Sequence, residues 1–144
     1  MAGGDFRDLQ IEYVILADGA QVQGGKLYVL GGGWDRIQFP DYPKSLPLGL
    51  AFGIRVPWTE TNRKHTFRLR GVSADGNTNL FEGSGEFEMG RPAGFPEGMS
   101  QVFQVAMQIV LSVPSAGEYS IEATLDGDKA SHAIPFYAVK TPGG

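Results

Sequence analysis

Two histidines are the side chains best suited to acid–base chemistry in this chain, which contains no cysteine. We interpret His65, in RKHTF, as lying at a solvated strand entry, and His132 as alternating with Ala130 and Ile134 within a strand. A hydrolytic triad needs a nucleophile, a base and an orienting acid brought together. Neither histidine lies in a nucleophile motif, and the pair lacks metal-ligand spacing. We therefore expect no enzymatic activity, no cofactor and no histidine-based metal site.

Three glutamates share one face of a predicted strand and could take part in acid–base chemistry: Glu82, Glu86 and Glu88. In the register that buries the neighbouring phenylalanines, Arg68 and Arg70 of the preceding strand point to the same side. We therefore predict that these residues form cross-strand charge pairs on a solvated sheet face.

Four acidic residues in predicted loops raise the alternative of a calcium site: Asp18, Asp75, Asp126 and Asp128. Calcium needs six to eight oxygen ligands, which the loops at one end of a sandwich could supply. The first three each precede a glycine, as residues in tight turns commonly do. Turn formation is therefore the favoured role, and calcium binding stays an alternative.

Three consecutive glycines, Gly31, Gly32 and Gly33, could form a phosphate-binding loop. Such loops open a helix, and a P-loop also ends in Gly-Lys-Ser/Thr. Here the glycines lead into the strand-like segment WDRIQF. We predict instead a bulge or bend in the second strand. This bend would let Leu27 and Val29 pack into one part of the core, and Trp34 and Ile37 into another part.

Aromatic side chains at or near predicted loops are candidates for binding a sugar or a protein partner: Trp34, Tyr42, Trp58 and Phe95. Trp58, in VPWTETNRK, is predicted to be the most exposed, because Pro57 ends a strand and the residues after it are polar.

The last residues, VKTPGG, suggest a different class of function. Ubiquitin-like modifiers end in two glycines, because a terminus without side chains fits the narrow channels of activating and processing enzymes. Gly143 and Gly144 are therefore candidate conjugation residues within a predicted flexible tail, residues 141–144. Modifiers have a β-grasp fold with a helix, and this sequence predicts no helix.

Composition favours a single all-β domain over residues 1–140. The chain has 144 residues, of which 42% are hydrophobic, and its 21 Gly and 9 Pro imply many turns. A net charge of −4 argues against nucleic-acid binding. No long apolar run or secretory signal is visible, so we expect no membrane contact and a cytoplasmic location.

Alternating hydrophobic residues predict about eight strands in an antiparallel β-sandwich, immunoglobulin-like or C2-like. The period is 2 in LGLAFGIRV and in SQVFQVAMQIVLSV. Hairpin turns are predicted at Asp75-Gly76 and Asp126-Gly127. In GEYSIEA, Tyr119 stands where immunoglobulin-like sandwiches use a tyrosine hydroxyl to tie a corner.

The segment ADGAQVQGGKLYVLGGGWDRI resembles the opening of a family of small bacterial proteins known only as a domain of unknown function. GEYSIEATLDG is a second point of similarity. The resemblance implies a β-sandwich and supplies no activity. We therefore expect a non-enzymatic protein that acts by protein–protein contact, with a partner or by self-association. The alternatives are a Gly-Gly protein tag and a carbohydrate- or calcium-binding module.

Overall fold

The computed structural model describes residues 8–142, which form nine strands and one short 3-10 helix at Trp58–Glu60. The strands are β1 (Gln10–Gln23), β2 (Lys26–Gly32), β3 (Arg36–Phe39), β4 (Lys44–Val56), β5 (His65–Ser73), β6 (Asn79–Phe87), β7 (Gln101–Val113), β8 (Gly117–Leu125) and β9 (Ala130–Lys140). Within the described residues, no helix is long and apolar enough to cross a membrane.

The strands form two sheets, of order β2-β1-β4-β7 and β3-β9-β8-β5-β6. This arrangement confirms the predicted all-β sandwich. Two details differ from the prediction. The segment WDRIQF contains a ninth strand, β3, which is only four residues long. In addition, β3 pairs with β9 in the parallel sense, so the sandwich is not wholly antiparallel.

The core is centred on β4, whose predicted alternation is confirmed. Five side chains on one face are at most 1% exposed: Leu48, Leu50, Phe52, Ile54 and Val56. The Phe52 ring meets that of Phe67 in the opposite sheet, with ring centroids 5.1 Å apart. The other face of β4 carries small residues, and the ring of Tyr13 occupies the space beside Gly53. This central strand is therefore covered on both faces.

A side-chain hydrogen bond and two turns at the strand ends also agree with the predictions. The hydroxyl of Tyr119 donates to the backbone carbonyl of Ser115 at 2.7 Å, as predicted for the corner tyrosine. Both predicted turns join hairpins, β5 to β6 and β8 to β9. Asp126 and Gly127 adopt left-handed φ angles of 48° and 75° in the second turn.

The glycine run moves the chain from one sheet to the other. The amide of Gly33 donates to the carbonyl of Leu16 in β1 at 2.9 Å, and the carbonyl of Asp35 accepts from the amide of Tyr137 in β9 at 2.8 Å. Gly31 and Gly33 have φ angles of 60° and 90°, which L-residues with side chains rarely adopt. The glycines therefore act as a bend, as predicted.

The predicted division of the core at this bend is only half correct. Ile37 is buried and Trp34 packs against the core. However, β2 is the edge strand of its sheet, and Val29 is 40% exposed while Leu27 is only half-buried. The expectation that Leu27 and Val29 serve the core is wrong, because neither side chain packs against the buried cluster.

Replacing Gly33 with Ala should lower the free energy of unfolding by about 1 kcal/mol, because the left-handed backbone disfavours a β-carbon. The space around a β-carbon at this position is open, so the loss of stability would come from the backbone conformation alone and not from a steric clash. Urea unfolding of the variant is the measurement.

Gly83→Ala is the matched control, since Gly83 lies in β6 with an ordinary φ angle and equally open surroundings. We expect no loss of stability for this control. Equal stability of both variants would contradict the role assigned to Gly33.

Candidate functional site

Two of the four aromatic candidates are parts of the scaffold. The indole nitrogen of Trp34 donates to the carbonyl of Gly31 at 2.9 Å, and its ring lies 6.4 Å from that of Phe136. The hydroxyl of Tyr42 donates to the carbonyl of Val139 at 2.8 Å. Both side chains are half-buried against the core. Their hydrogen bonds fix the connections on either side of β3.

Trp58 is also half-buried, which corrects the prediction that it would be the most exposed of the four. The guanidinium of Arg91 lies 4.1 Å from the centroid of its ring, and the same group donates to the carbonyl of Trp58 at 3.0 Å. The loop between β6 and β7 therefore covers a side chain that local polarity suggested would be free. Phe95, in the same loop, is 39% exposed.

The structure does not bring the four aromatics together. Tyr42 and Trp58 flank opposite ends of β4, a strand of 13 residues. At about 3.3 Å per residue these ends lie roughly 40 Å apart. The other two candidate residues, Gly143 and Gly144, lie outside the described residues, so their proposed conjugation stays a prediction.

The most prominent exposed apolar surface lies on β2. Tyr28, Val29 and Leu30 are 52%, 40% and 74% exposed. A two-residue turn at Gly24 and Gly25 joins β2 to β1, and both turn residues have positive φ angles, 58° and 76°. The segment GAQVQGGK is therefore mostly strand. We name the three exposed side chains the β2 patch.

The hairpin that carries the β2 patch is held against the outer face of its own sheet. The amide nitrogen of the Gln104 side chain donates to the carbonyl of Gly25 at 3.0 Å, and that of Gln108 donates to the carbonyl of Ala20 at 3.4 Å. Gly49 of β4 lies against the backbone of residues 19 and 20, where a β-carbon would come within 2.7 Å of the Ala20 nitrogen. The patch is thus well anchored and yet exposed in the described part of the chain.

Sequence reasoning missed the β2 patch, although one signal for the hairpin was present. Two glycines between strand-like segments are typical of a two-residue hairpin. The run LYVL, however, contains no polar residue, so its alternation could not indicate a solvent face. Nothing in the sequence marks β2 as an edge strand, because that depends on pairings far apart in the chain.

His65 lies in a closed polar cluster, which corrects its predicted solvated position. The ring is 1% exposed and stacks on Phe87 with centroids 5.2 Å apart. Nδ1 lies 2.7 Å from a carboxylate oxygen of Asp126, and Nε2 lies 2.8 Å from the backbone carbonyl of Glu60. Both partners are acceptors, so making both hydrogen bonds requires a proton on each ring nitrogen.

Further polar contacts surround the His65 ring. The Glu60 carboxylate lies 3.8 Å from Nε2 and also contacts the ammonium group of Lys129 at 2.9 Å. The second carboxylate oxygen of Asp126 accepts from the amide of Thr66 at 2.9 Å. With both nitrogens engaged and no access to solvent, the ring serves to join the β8–β9 turn to the start of β5.

Asp126 carries a lowered pKa as a result of this cluster. Burial raises the pKa of the carboxyl, but hydrogen bonds from His65 and the Thr66 amide, with the charges of His65 and Lys129, outweigh it. The pKa of Asp126 therefore lies below its ordinary value of 3.8. The carboxylate stabilises the fold in its ionised form.

The predicted charge pairs are found in part. Arg68 contacts Glu82 at 2.7 Å, as predicted. Arg70 instead contacts Glu122 of β8 at 3.0 Å, because β5 lies between β6 and β8 and its side chains can reach either neighbour. These pairs are partly exposed and contribute only a few tenths of a kcal/mol each.

The acidic residues considered for calcium do not converge. Asp75 caps the β5–β6 turn through the Ser73 hydroxyl and the Asn77 amide, whereas Asp126 pairs with Thr66 at the other end of β5. Across residues 8–142, no group of three or more histidine, aspartate or glutamate side chains is placed to hold a metal ion.

Replacing Asp126 with Asn should lower the free energy of unfolding at neutral pH by about 1–3 kcal/mol, because a charge-assisted hydrogen bond to His65 is lost. Asn tolerates the left-handed φ of 48° at this position, so the backbone cost is small. Denaturant unfolding across pH provides the measurement.

The same substitution should flatten the acid dependence of stability. In the wild type the contribution of Asp126 is complete above about pH 4 and disappears as the pH falls through the lowered pKa. Asp128→Asn, in the same turn and exposed, is the control and should stay within about 0.5 kcal/mol of the wild type. Identical stability of D126N and the wild type would refute the role given to the cluster.

Comparison with known proteins identifies a family without an assigned activity. No curated protein and no solved structure matches the chain. One family model, described as a family of unknown function (DUF6941), matches residues 12–139. This range runs from β1 to β9 and includes both sheets, the β2 patch and the His65 cluster. The chain therefore belongs to the DUF6941 family of unknown function.

Proposed function

We propose that this protein is a non-enzymatic binding domain that acts through protein–protein contact at the β2 patch. The observation that carries the proposal is the exposure of three consecutive apolar side chains, up to 74% for Leu30, on an unpaired strand edge. An edge strand presents unpaired backbone donors and acceptors, and apolar side chains beside them favour the addition of another strand.

The two edges of the five-stranded sheet differ from β2 in ways that disfavour strand addition. β3 has only four residues and carries Arg36. β6 contains the acidic residues Glu82 and Glu86 as well as two glycines. Short, charged or glycine-containing edges are common means of preventing unwanted pairing.

The remaining edge strand, β7, has side chains engaged on both of its faces. Its Phe103 ring stacks on Phe87 of the opposite sheet with centroids 4.7 Å apart. Gln104 and Gln108 are engaged with the β1–β2 hairpin. β7 exposes one large apolar side chain, Val110 at 60%, whereas β2 exposes three in succession, so β2 is the edge we favour.

Site-specific cross-linking tests this proposal. A photoreactive p-benzoylphenylalanine placed at position 30 in the source organism should yield an adduct with a defined protein, either a second copy or another chain. The same residue at Gln38, exposed on β3, is the control and should yield no such adduct. Mass spectrometry identifies the captured chain.

Binding of the purified protein to the captured chain should then be lost in Leu30→Lys. Leu30 is largely exposed, so this variant should unfold within about 0.5 kcal/mol of the wild type. Adducts at position 38 alone, or none at position 30, would overturn the proposal.

A further inference from the structure

The backbone of β2 is arranged to accept one more antiparallel strand. A two-residue turn closes the hairpin at Gln23 and Lys26, and paired residues alternate from there along β2. Lys26, Tyr28 and Leu30 therefore direct their N–H and C=O groups toward β1, whereas Leu27 and Val29 direct theirs away from it. The free edge thus offers donors and acceptors at the two-residue spacing of an antiparallel ladder.

The side chains of β2 restrict the chemistry of that strand. Lys26 is the only charged residue in KLYVLGG, and it lies at one end. The exposed centre is apolar and includes a large aromatic ring. A charged strand would lose hydration on pairing here without a partner of opposite sign, so the fitting strand is uncharged at its centre and apolar.

β2 itself meets these requirements. Its midpoint is Val29, so pairing with a second β2 about that residue centres the contact on Tyr28, Val29 and Leu30, ahead of the left-handed Gly31. Val29 then lies opposite its own copy and exchanges both backbone hydrogen bonds with it. Tyr28 lies opposite Leu30 twice, in the closer type of pair, where aromatic and aliphatic side chains stabilise a sheet.

The charges also suit this register. Lys26 of one copy falls opposite Gly32 of the other, so the two lysines lie at opposite ends of the paired strands. The carboxylate of Asp18 occupies the space where a side chain at Gly31 would begin. Asp18 lies on the face opposite to the Lys26 side chain, so the register keeps the two lysines apart and forms no ion pair with Asp18.

We propose that two copies of this chain associate through antiparallel β2–β2 pairing about Val29, which joins their four-stranded sheets into one. The contact is isologous, so the same patch serves on both copies and the assembly closes as a dimer. This inference rests on the proposed function and names its partner as a second copy.

Cysteine cross-linking tests the register directly, because the wild-type chain contains no cysteine. A mixture of Tyr28→Cys and Leu30→Cys proteins should form a disulfide-linked dimer under mild oxidation at least ten-fold faster than either variant alone. The reason is that only the mixture brings cysteines directly opposite each other. A mixture of Tyr28→Cys with Gln38→Cys is the control and should give no such acceleration.

The oligomeric state of the cysteine-free chain provides a second, independent readout. Sedimentation of the wild type at micromolar concentration should give twice the 15.5 kDa mass of one chain, and Leu30→Lys should give a single-chain mass. Circular dichroism checks that both proteins are folded.

A wild type that stays monomeric, with no preferential disulfide in the mixture, would overturn the pairing of two copies. If the photoreactive residue at position 30 still captured a different protein, the proposed function would stand with another partner. If it captured nothing, both proposals would fail.

Discussion

The amide of Gly33 donates to the carbonyl of Leu16, and among the described residues this is the last backbone hydrogen bond that joins this part of the chain to β1. Two residues later the carbonyl of Asp35 already accepts from the opposite sheet. This abrupt crossing depends on the left-handed conformation of Gly33. Because the chain changes sheets here, the segment after β2 adds a strand to the other sheet. β2 stays at the edge of its sheet, with Tyr28, Val29 and Leu30 exposed among the described residues.

The rest of the sandwich makes this edge a rigid feature. The inward side chains of β4 are at most 1% exposed, and Gln104 and Gln108 hold the hairpin against the outer face of its sheet. At one end, the buried His65 ties the β8–β9 turn to β5 through Asp126. A binding strand that is already ordered loses little conformational entropy on pairing. Stability and the proposed binding role therefore arise from separate parts of the molecule.

The sequence predicted those features that depend on local periodicity. Alternation over β4 and β7, the two Asp-Gly turns and the corner tyrosine all follow from spacing within a few residues, and the structure confirms them. Features that depend on distant pairings were not predictable. The buried His65 ring is held by Asp126, which is 61 residues away in the sequence. Arg70 contacts Glu122 because β8 lies beside β5. Likewise, only the full strand order shows that β2 is an edge.

The central claim is that the free edge of β2 pairs with a strand of a second copy. Amide hydrogen exchange of Leu27 and Val29, followed by NMR at increasing protein concentration, tests it most directly. These two amides point away from β1, so they should exchange quickly in dilute solution and become protected as the concentration rises. The amides of Tyr28 and Leu30 should be protected throughout, because β1 already bonds them. Fast exchange of Leu27 and Val29 at every concentration would contradict the account.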